Sequence, residues 1–116
     1  MISMWGLKNC DRCRKALRWL NDQGKAHEFR DVRKDGLDAA RLQRWIDAVG
    51  WETLLNRRGT TWRTLPEAET ADVDGLKATA LMLRYPGLIR RPVFETGASI
   101  VVGFKDAEMA ALNAAR

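Results

Sequence analysis

Apolar positions along the chain recur at two periods, and the switches between them mark out strands and helices. Ile2 to Leu7 is a short, mostly apolar run that contains Gly6 and gives way to the polar Lys8-Asn9, which predicts a strand followed by a tight loop. From Asp11 to about Asp22 the residues Cys13, Ala16, Leu17 and Leu20 fall at helical spacing. Asn9 or Cys10 can cap this helix, and Gly24 supplies the stop. Ala26 to Val32 alternates imperfectly, but its length and the short Gly24-Lys25 connection predict a second strand beside the first. Strand, helix and strand within about thirty residues form a right-handed parallel unit.

A helical stretch follows. Asp38 can cap a helix in which Leu42, Trp45, Ile46 and Val49 recur at i, i+3, i+4 and i+7, closed by Gly50. Trp51, Leu54 and Leu55 predict a further short helical turn before a polar loop, Asn56 to Thr61. Thr70 or Asp72 can cap a third helix with Val73, Leu76, Ala80 and Leu83 on one face, ended by Tyr85-Pro86-Gly87. Pro92 to Glu95 and Ser99 to Val102, separated by Thr96-Gly97-Ala98, read as an antiparallel hairpin, and Asp106 opens a last Ala-rich helix. The order β-α-β, a helical insert over approximately residues 33–89, then β-β-α predicts an α/β fold: a four-stranded mixed sheet packed between helices, the thioredoxin-like arrangement.

Composition narrows the class. At 116 residues, 46% hydrophobic and 30% charged, the chain is expected to form one compact domain, residues 1–116, that needs neither disulfide nor metal to fold. No stretch approaches the roughly 20 apolar residues of a membrane span, and Met1 to Trp5 leads into polar residues without a signal-like apolar region. The expectation is a soluble cytoplasmic protein whose two cysteines are free for chemistry. The net charge of +5 is scattered over short clusters, Arg12-Arg14-Lys15, Arg57-Arg58-Arg63 and Arg90-Arg91, with no continuous basic stripe along a helix. That pattern favours local pockets for small anions over a nucleic-acid groove.

Chemistry concentrates at Cys10-Asp11-Arg12-Cys13, where the first strand hands over to the first helix. Unpaired N–H groups and the helix dipole stabilise an anion there, and Lys8, Arg12, Arg14 and Lys15 add positive charge. A free thiol with a pKa of about 8.5 is only about 3% ionised at pH 7, so lowering that value is what makes a nucleophile. Cys10 is the expected nucleophile. Cys13, one turn further in, is placed to attack a mixed disulfide formed on Cys10. Two cysteines and the lone His27 fall short of the four ligands of a structural zinc site, so no metal is expected. His27, in the second strand, reads as a packing or surface residue, and Trp19, Trp45 and Trp51 as core residues. The Arg57-to-Arg63 loop carries guanidinium and hydroxyl donors around Trp62, suited either to an anion or simply to water. Before Pro92 the ordinary expectation is a trans bond.

Over its whole length the chain resembles the ArsC family, and in particular the small YffB-like branch. The resemblance is carried by Trp5-Gly6-Leu7-Lys8-Asn9-Cys10-Asp11, by Lys34-Asp35-Gly36, by the block Gly50 to Arg63, by Arg90-Arg91-Pro92-Val93 and by Val102-Gly103-Phe104. It implies a nucleophilic Cys10, a cis-proline at Pro92 facing it, and Arg91 directed at the thiolate and its anionic ligand. Of three oxyanion arginines in the family's arsenate reductases, one corresponds to Arg91 and a second falls in Leu54 to Arg58, with Arg57 the nearest candidate. The third has no counterpart, since Val102-Gly103-Phe104 stands in its place.

The implied activity is a glutathione-dependent thiol/disulfide reductase, with arsenate reduction as a narrower version. Asn9, Arg57, Arg91 and Pro92 are then the anion-binding residues, Cys10, Cys13 and Arg91 the catalytic ones, glutathione the reductant, and no cofactor is bound. The alternative is a redox-sensing regulator of the Spx-like branch, which also carries Cys-X-X-Cys and binds RNA polymerase. No membrane or direct nucleic-acid partner is expected under either reading.

Overall fold

The computed structural model describes residues 1–114; Ala115 and Arg116, at the end of the expected last helix, lie outside the described residues. The elements run β1 (Ile2–Gly6), α1 (Asp11–Asp22), β2 (His27–Asp31), a π-helical turn (Val32–Gly36), α2 (Ala39–Val49), α3 (Trp51–Leu54), α4 (Thr60–Arg63), α5 (Glu67–Thr70), α6 (Gly75–Arg84), a 3-10 turn (Pro86–Leu88), β3 (Val93–Glu95), β4 (Ile100–Val102) and α7 (Asp106–Ala114). They divide into two compact units, residues 1–36 together with the chain from Arg91 onward, and Leu37–Arg90.

The first unit is the α/β half. Its sheet has the order β2-β1-β3-β4, with β1 parallel to β2 and antiparallel to β3, and β3 antiparallel to β4. This is the mixed sheet of a thioredoxin-like fold. The alternation of β1 sends Ile2 and Met4 into a core shared with Cys13, Ala16 and Leu20 of α1, Phe94 of β3, Val101 of β4 and Leu112 of α7. Trp19 meets Phe104 edge-on at 5.6 Å between ring centroids, which closes one side of that core.

At the end of β1 the chain requires glycine. A Cβ on Gly6 would lie 2.5 Å from Cys13 Sγ, so α1 sits as close to β1 as it does only because Gly6 has no side chain. The second strand is shorter than its apolar pattern predicts, ending at Asp31 instead of Val32. The Asp31 carboxylate accepts the backbone N–H groups of Arg33 and Lys34 at 2.8 and 2.9 Å, and this turns the chain out of the sheet. Helical structure thus begins at Val32 with the π-helical turn, and the second compact unit runs from Leu37 to Arg90.

In the second unit Asp38 caps α2 as its position predicts, accepting the Arg41 N–H at 2.7 Å, and Gly50 at φ +87° ends it. Leu42 and Trp45 of α2 are buried with Leu54, Leu55, Ala78, Leu81, Met82, Leu88 and Ile89. α2 packs against α3 and α6. A short bridge between Leu55 and Ile89 ties the chain after α3 to the end of the unit, flanked by Asn56 N–H to Leu88 C=O at 2.8 Å and Arg90 N–H to Leu54 C=O at 2.7 Å.

The third major helix departs from its expected cap and face. Thr70 closes the short α5, Asp72 adopts φ +53°, and the cap of α6 is Asp74, whose carboxylate accepts the Lys77 N–H at 2.9 Å. The buried face is Ala78, Leu81 and Met82, and Leu76 is 86% exposed. Both stripes have helical spacing, and packing against α2 selects between them. The expected loop Asn56 to Thr61 is shorter as well, because Thr60–Arg63 forms the turn α4.

Gly6→Ala is expected to lower stability by about 1–3 kcal/mol in urea unfolding, the usual range for overpacking. Removing the opposing sulfur should relieve part of it, so Cys13→Ala will cost less in the Gly6→Ala background than in the wild type, a coupling that a double-mutant cycle reads directly.

Candidate active site

Cys10 is the N-cap residue of α1, with extended backbone (φ −99°, ψ 121°) and its carbonyl accepting the Arg14 N–H at 2.9 Å. Partial burial pushes the Cys10 thiol up. That effect is outweighed by the backbone N–H of Cys13, the Cys13 thiol and the Arg91 guanidinium, which together hold it below the ordinary thiol value.

Cys13 behaves oppositely. Burial against the sheet, together with the charge of Cys10 and against the backbone of Leu7, pushes it up to about 12. One turn of helix therefore holds a thiol poised to ionise and a thiol that stays protonated and donates to it.

The cations that surround Cys10 in sequence are not those that act on it. Arg14 is ion-paired to Asp11 at the start of the same helix, and the charge felt by the sulfur comes from Arg91, eighty-one positions along the chain. The Arg91–Pro92 bond is cis, as the family resemblance implies and against the ordinary statistics for X-Pro. Pro92 is buried, and its carbonyl accepts the Gly103 N–H at 2.8 Å.

A cavity of about 430 Å³ opens beside the sulfur, lined by Leu7, Lys8, Asn9, Cys10, Asp31, Arg33, Lys34 and Arg91. Asn9, Cys10 and Arg91 were singled out by sequence. Asp31, Arg33 and Lys34 were not, although Lys34 opens one of the segments that carry the family resemblance. Their signal was topological: Gly6 and Asp31 are register partners at the carboxyl ends of two parallel strands, where open α/β sheets collect ligands.

Arg57 belongs to the helical unit. Its guanidinium lies over the rings of Trp51 and Trp62, at 5.3 and 5.9 Å from their centroids. Asn56 shapes the same loop by accepting the Arg58 N–H at 3.0 Å, and a Cβ at Gly59 would lie 2.9 Å from Asn56 Nδ2. His27 sits in β2 with Nδ1 2.8 Å from the Lys25 carbonyl oxygen.

The sequence profile of the ArsC family matches residues 5–112. The chain belongs to that family. It is 47% identical to a YffB protein of known structure, covering 97% of this chain and 99% of the other with a TM-score of 0.90. The solution structure of an arsenate reductase (ArsC) related protein from Brucella melitensis is 46% identical, covering 95% and 92%, with a TM-score of 0.78. A global transcriptional regulator Spx from Listeria innocua is more distant, 24% identical over 94% of this chain and 84% of its own. No helix among the described residues of this ArsC-family chain is long and apolar enough to cross a membrane.

The opposed shifts of the two thiols have a direct readout. A lowered pKa populates the thiolate at lower pH, so alkylation of Cys10 should rise with pH and level off around a midpoint below about 8.5, while Cys13 stays unreactive through that range. Cys13→Ala removes the thiol donor and should raise the Cys10 midpoint. Cys13→Ser, which keeps a donor, should leave the midpoint near the wild-type value.

Proposed function

We propose that this chain is a glutathione-dependent thiol/disulfide reductase with Cys10 as its nucleophile. The observation that carries the reading is the convergence of the Cys13 N–H, the Cys13 thiol and the Arg91 guanidinium on the Cys10 sulfur at the edge of a cationic cavity. Cys10 thiolate attacks the glutathione sulfur of a mixed disulfide RS–SG; the S–S bond breaks, RS⁻ leaves and takes a proton, and Cys10–S–SG forms. A second glutathione, as thiolate, attacks the glutathione sulfur of that adduct, releasing oxidised glutathione and regenerating the Cys10 thiolate. The net reaction is RS–SG + GSH → RSH + GSSG, in which one glutathione thiol is oxidised to the disulfide level as the substrate sulfur is reduced to a thiol, and no bound cofactor takes part. The burial of Cys13 and its raised pKa favour external glutathione over Cys13 as the resolving thiol. Arg91 lowers the leaving-group penalty at Cys10 by pairing with its thiolate.

Arsenate reduction is the less favoured version. The resemblance supplies counterparts for two of three oxyanion arginines, Arg91 and Arg57. The third place falls at the end of β4, where Gly103 has φ +95° and a Cβ would come within 3.1 Å of Glu108 Oε1, so this backbone favours glycine and not arginine. The Cys-X-X-Cys pair and the Spx relatives favour a second reading, a redox-sensing regulator that contacts RNA polymerase.

Steady-state assays with a glutathione recycling system test the ranking. Turnover of small glutathione mixed disulfides is expected to exceed that of arsenate, and Arg91→Ala should weaken it by about one to two orders of magnitude, as loss of a charge-assisted hydrogen bond of roughly 1.5–3 kcal/mol implies. Arg91→Lys should restore only part, because an ammonium keeps the charge without the planar fork. Efficient arsenate turnover without mixed-disulfide activity would reverse the order, and inactivity toward both with co-elution of purified RNA polymerase on a sizing column would establish the regulator.

A further inference from the structure

The reaction above uses Cys10, Cys13 and Arg91 and leaves one wall of the cavity, Asp31, Arg33 and Lys34, without a task. Asp31 is 8% exposed, and a buried carboxylate is costly unless its oxygens are hydrogen-bonded. Here one oxygen, Oδ1, is engaged by the chain's own backbone. Oδ1 accepts the N–H groups of Arg33 and Lys34 at 2.8 and 2.9 Å, and the Asp31 N–H in turn donates to Asp35 Oδ2 at 2.7 Å. Two carboxylates thus close the π-helical turn from both ends. Because Asp31 binds backbone and not side chain, the Arg33 and Lys34 side chains remain exposed beside the cavity, and among the described residues neither they nor Lys8 form an ion pair. Lys8, Arg33, Lys34 and Arg91 outnumber the negative groups of the lining even with Cys10 ionised. A site of this size and sign suits a small anion.

We propose that Asp31 is a positioning residue which sets Arg33 and Lys34 against the Cys10 cavity, where with Lys8 they bind the carboxylate of the thiol substrate. The inference rests on the reductase reading and adds the feature by which a substrate is selected: a carboxylate carried on the same molecule as the reacting sulfur, held by cations separate from the Arg91 that serves the sulfur. Asp31 itself touches no substrate atom and acts through the turn.

The test uses S-methylglutathione, which cannot react, and its diethyl ester, in which both carboxylates are blocked, each titrated calorimetrically into the full-length protein. Wild-type protein is expected to bind the free acid more tightly than the diester. Arg33→Ala/Lys34→Ala should weaken binding of the acid roughly fivefold to tenfold, the range for partly exposed charge pairs, and leave the diester little changed. Asp31→Ala should reproduce that selective loss by releasing the turn, whereas Asp31→Asn, whose amide oxygen still accepts both N–H groups, should retain most of the wild-type preference. If Asp31→Ala fails to fold, the double cation variant and Asp31→Asn still decide the matter. Equal loss for acid and diester, or no loss in the double variant, overturns the proposal. Wild-type protein that prefers the acid in this way but turns over no mixed disulfide would instead overturn the reductase reading and leave the anion subsite standing.

Discussion

The site is assembled around the missing side chain of Gly6. On one side the Cys13 sulfur occupies the space a Cβ would take, which brings the first turn of α1 against the end of β1 and places Cys10 at the helix cap. On the other side Gly6 is the register partner of Asp31, the residue that ends β2 and starts the cationic turn. A single glycine at the last position of β1 therefore sets the depth of the helix and stands level with the wall of the cavity. The contrast between the two thiols follows from the same contact, since the close approach that buries Cys13 also presents its N–H and thiol to Cys10.

What could be read from the sequence was local. The span of α1, Asp11 to Asp22, follows from apolar spacing and a nearby stop, and the β3–β4 hairpin from two short runs around Gly97. Position along the chain also marks Cys10, because a strand-to-helix junction is visible as a change of period. The misplaced features depended on distant parts of the fold. Val73, Leu76, Ala80 and Leu83 have the same spacing as the residues α6 actually buries, and only the neighbouring α2 distinguishes the two faces. The strand end at Asp31 turns on a side chain folding back to N–H groups two and three residues ahead, a competition with the sheet that an apolar pattern does not register.

Charge was the least legible property. Arg12, Arg14 and Lys15 stand next to the nucleophile in sequence, yet Arg14 is paired with Asp11, and the cations lining the cavity beyond Lys8 come from the β2 turn and from Arg91. The electrostatics of Cys10 are a product of topology. Arg57 illustrates the converse. It falls in the block that most strongly marks the family, and its guanidinium packs on two indoles that the same block supplies, so part of what makes the segment recognisable is its own packing.

The cationic turn also bears on encounter. Along the cavity wall the positive charge beside Arg91 stands on the turn and on Lys8, in a chain of net charge +5. Attraction from such a patch extends about one Debye length, roughly 8 Å at physiological ionic strength, and contracts as salt is added. The short-range influence of Cys13 and Arg91 on the sulfur is screened far less. Ionic strength thus separates two roles that distance alone does not: capture of an anion slows with added salt, while the intrinsic reactivity of Cys10 toward a neutral reagent changes little.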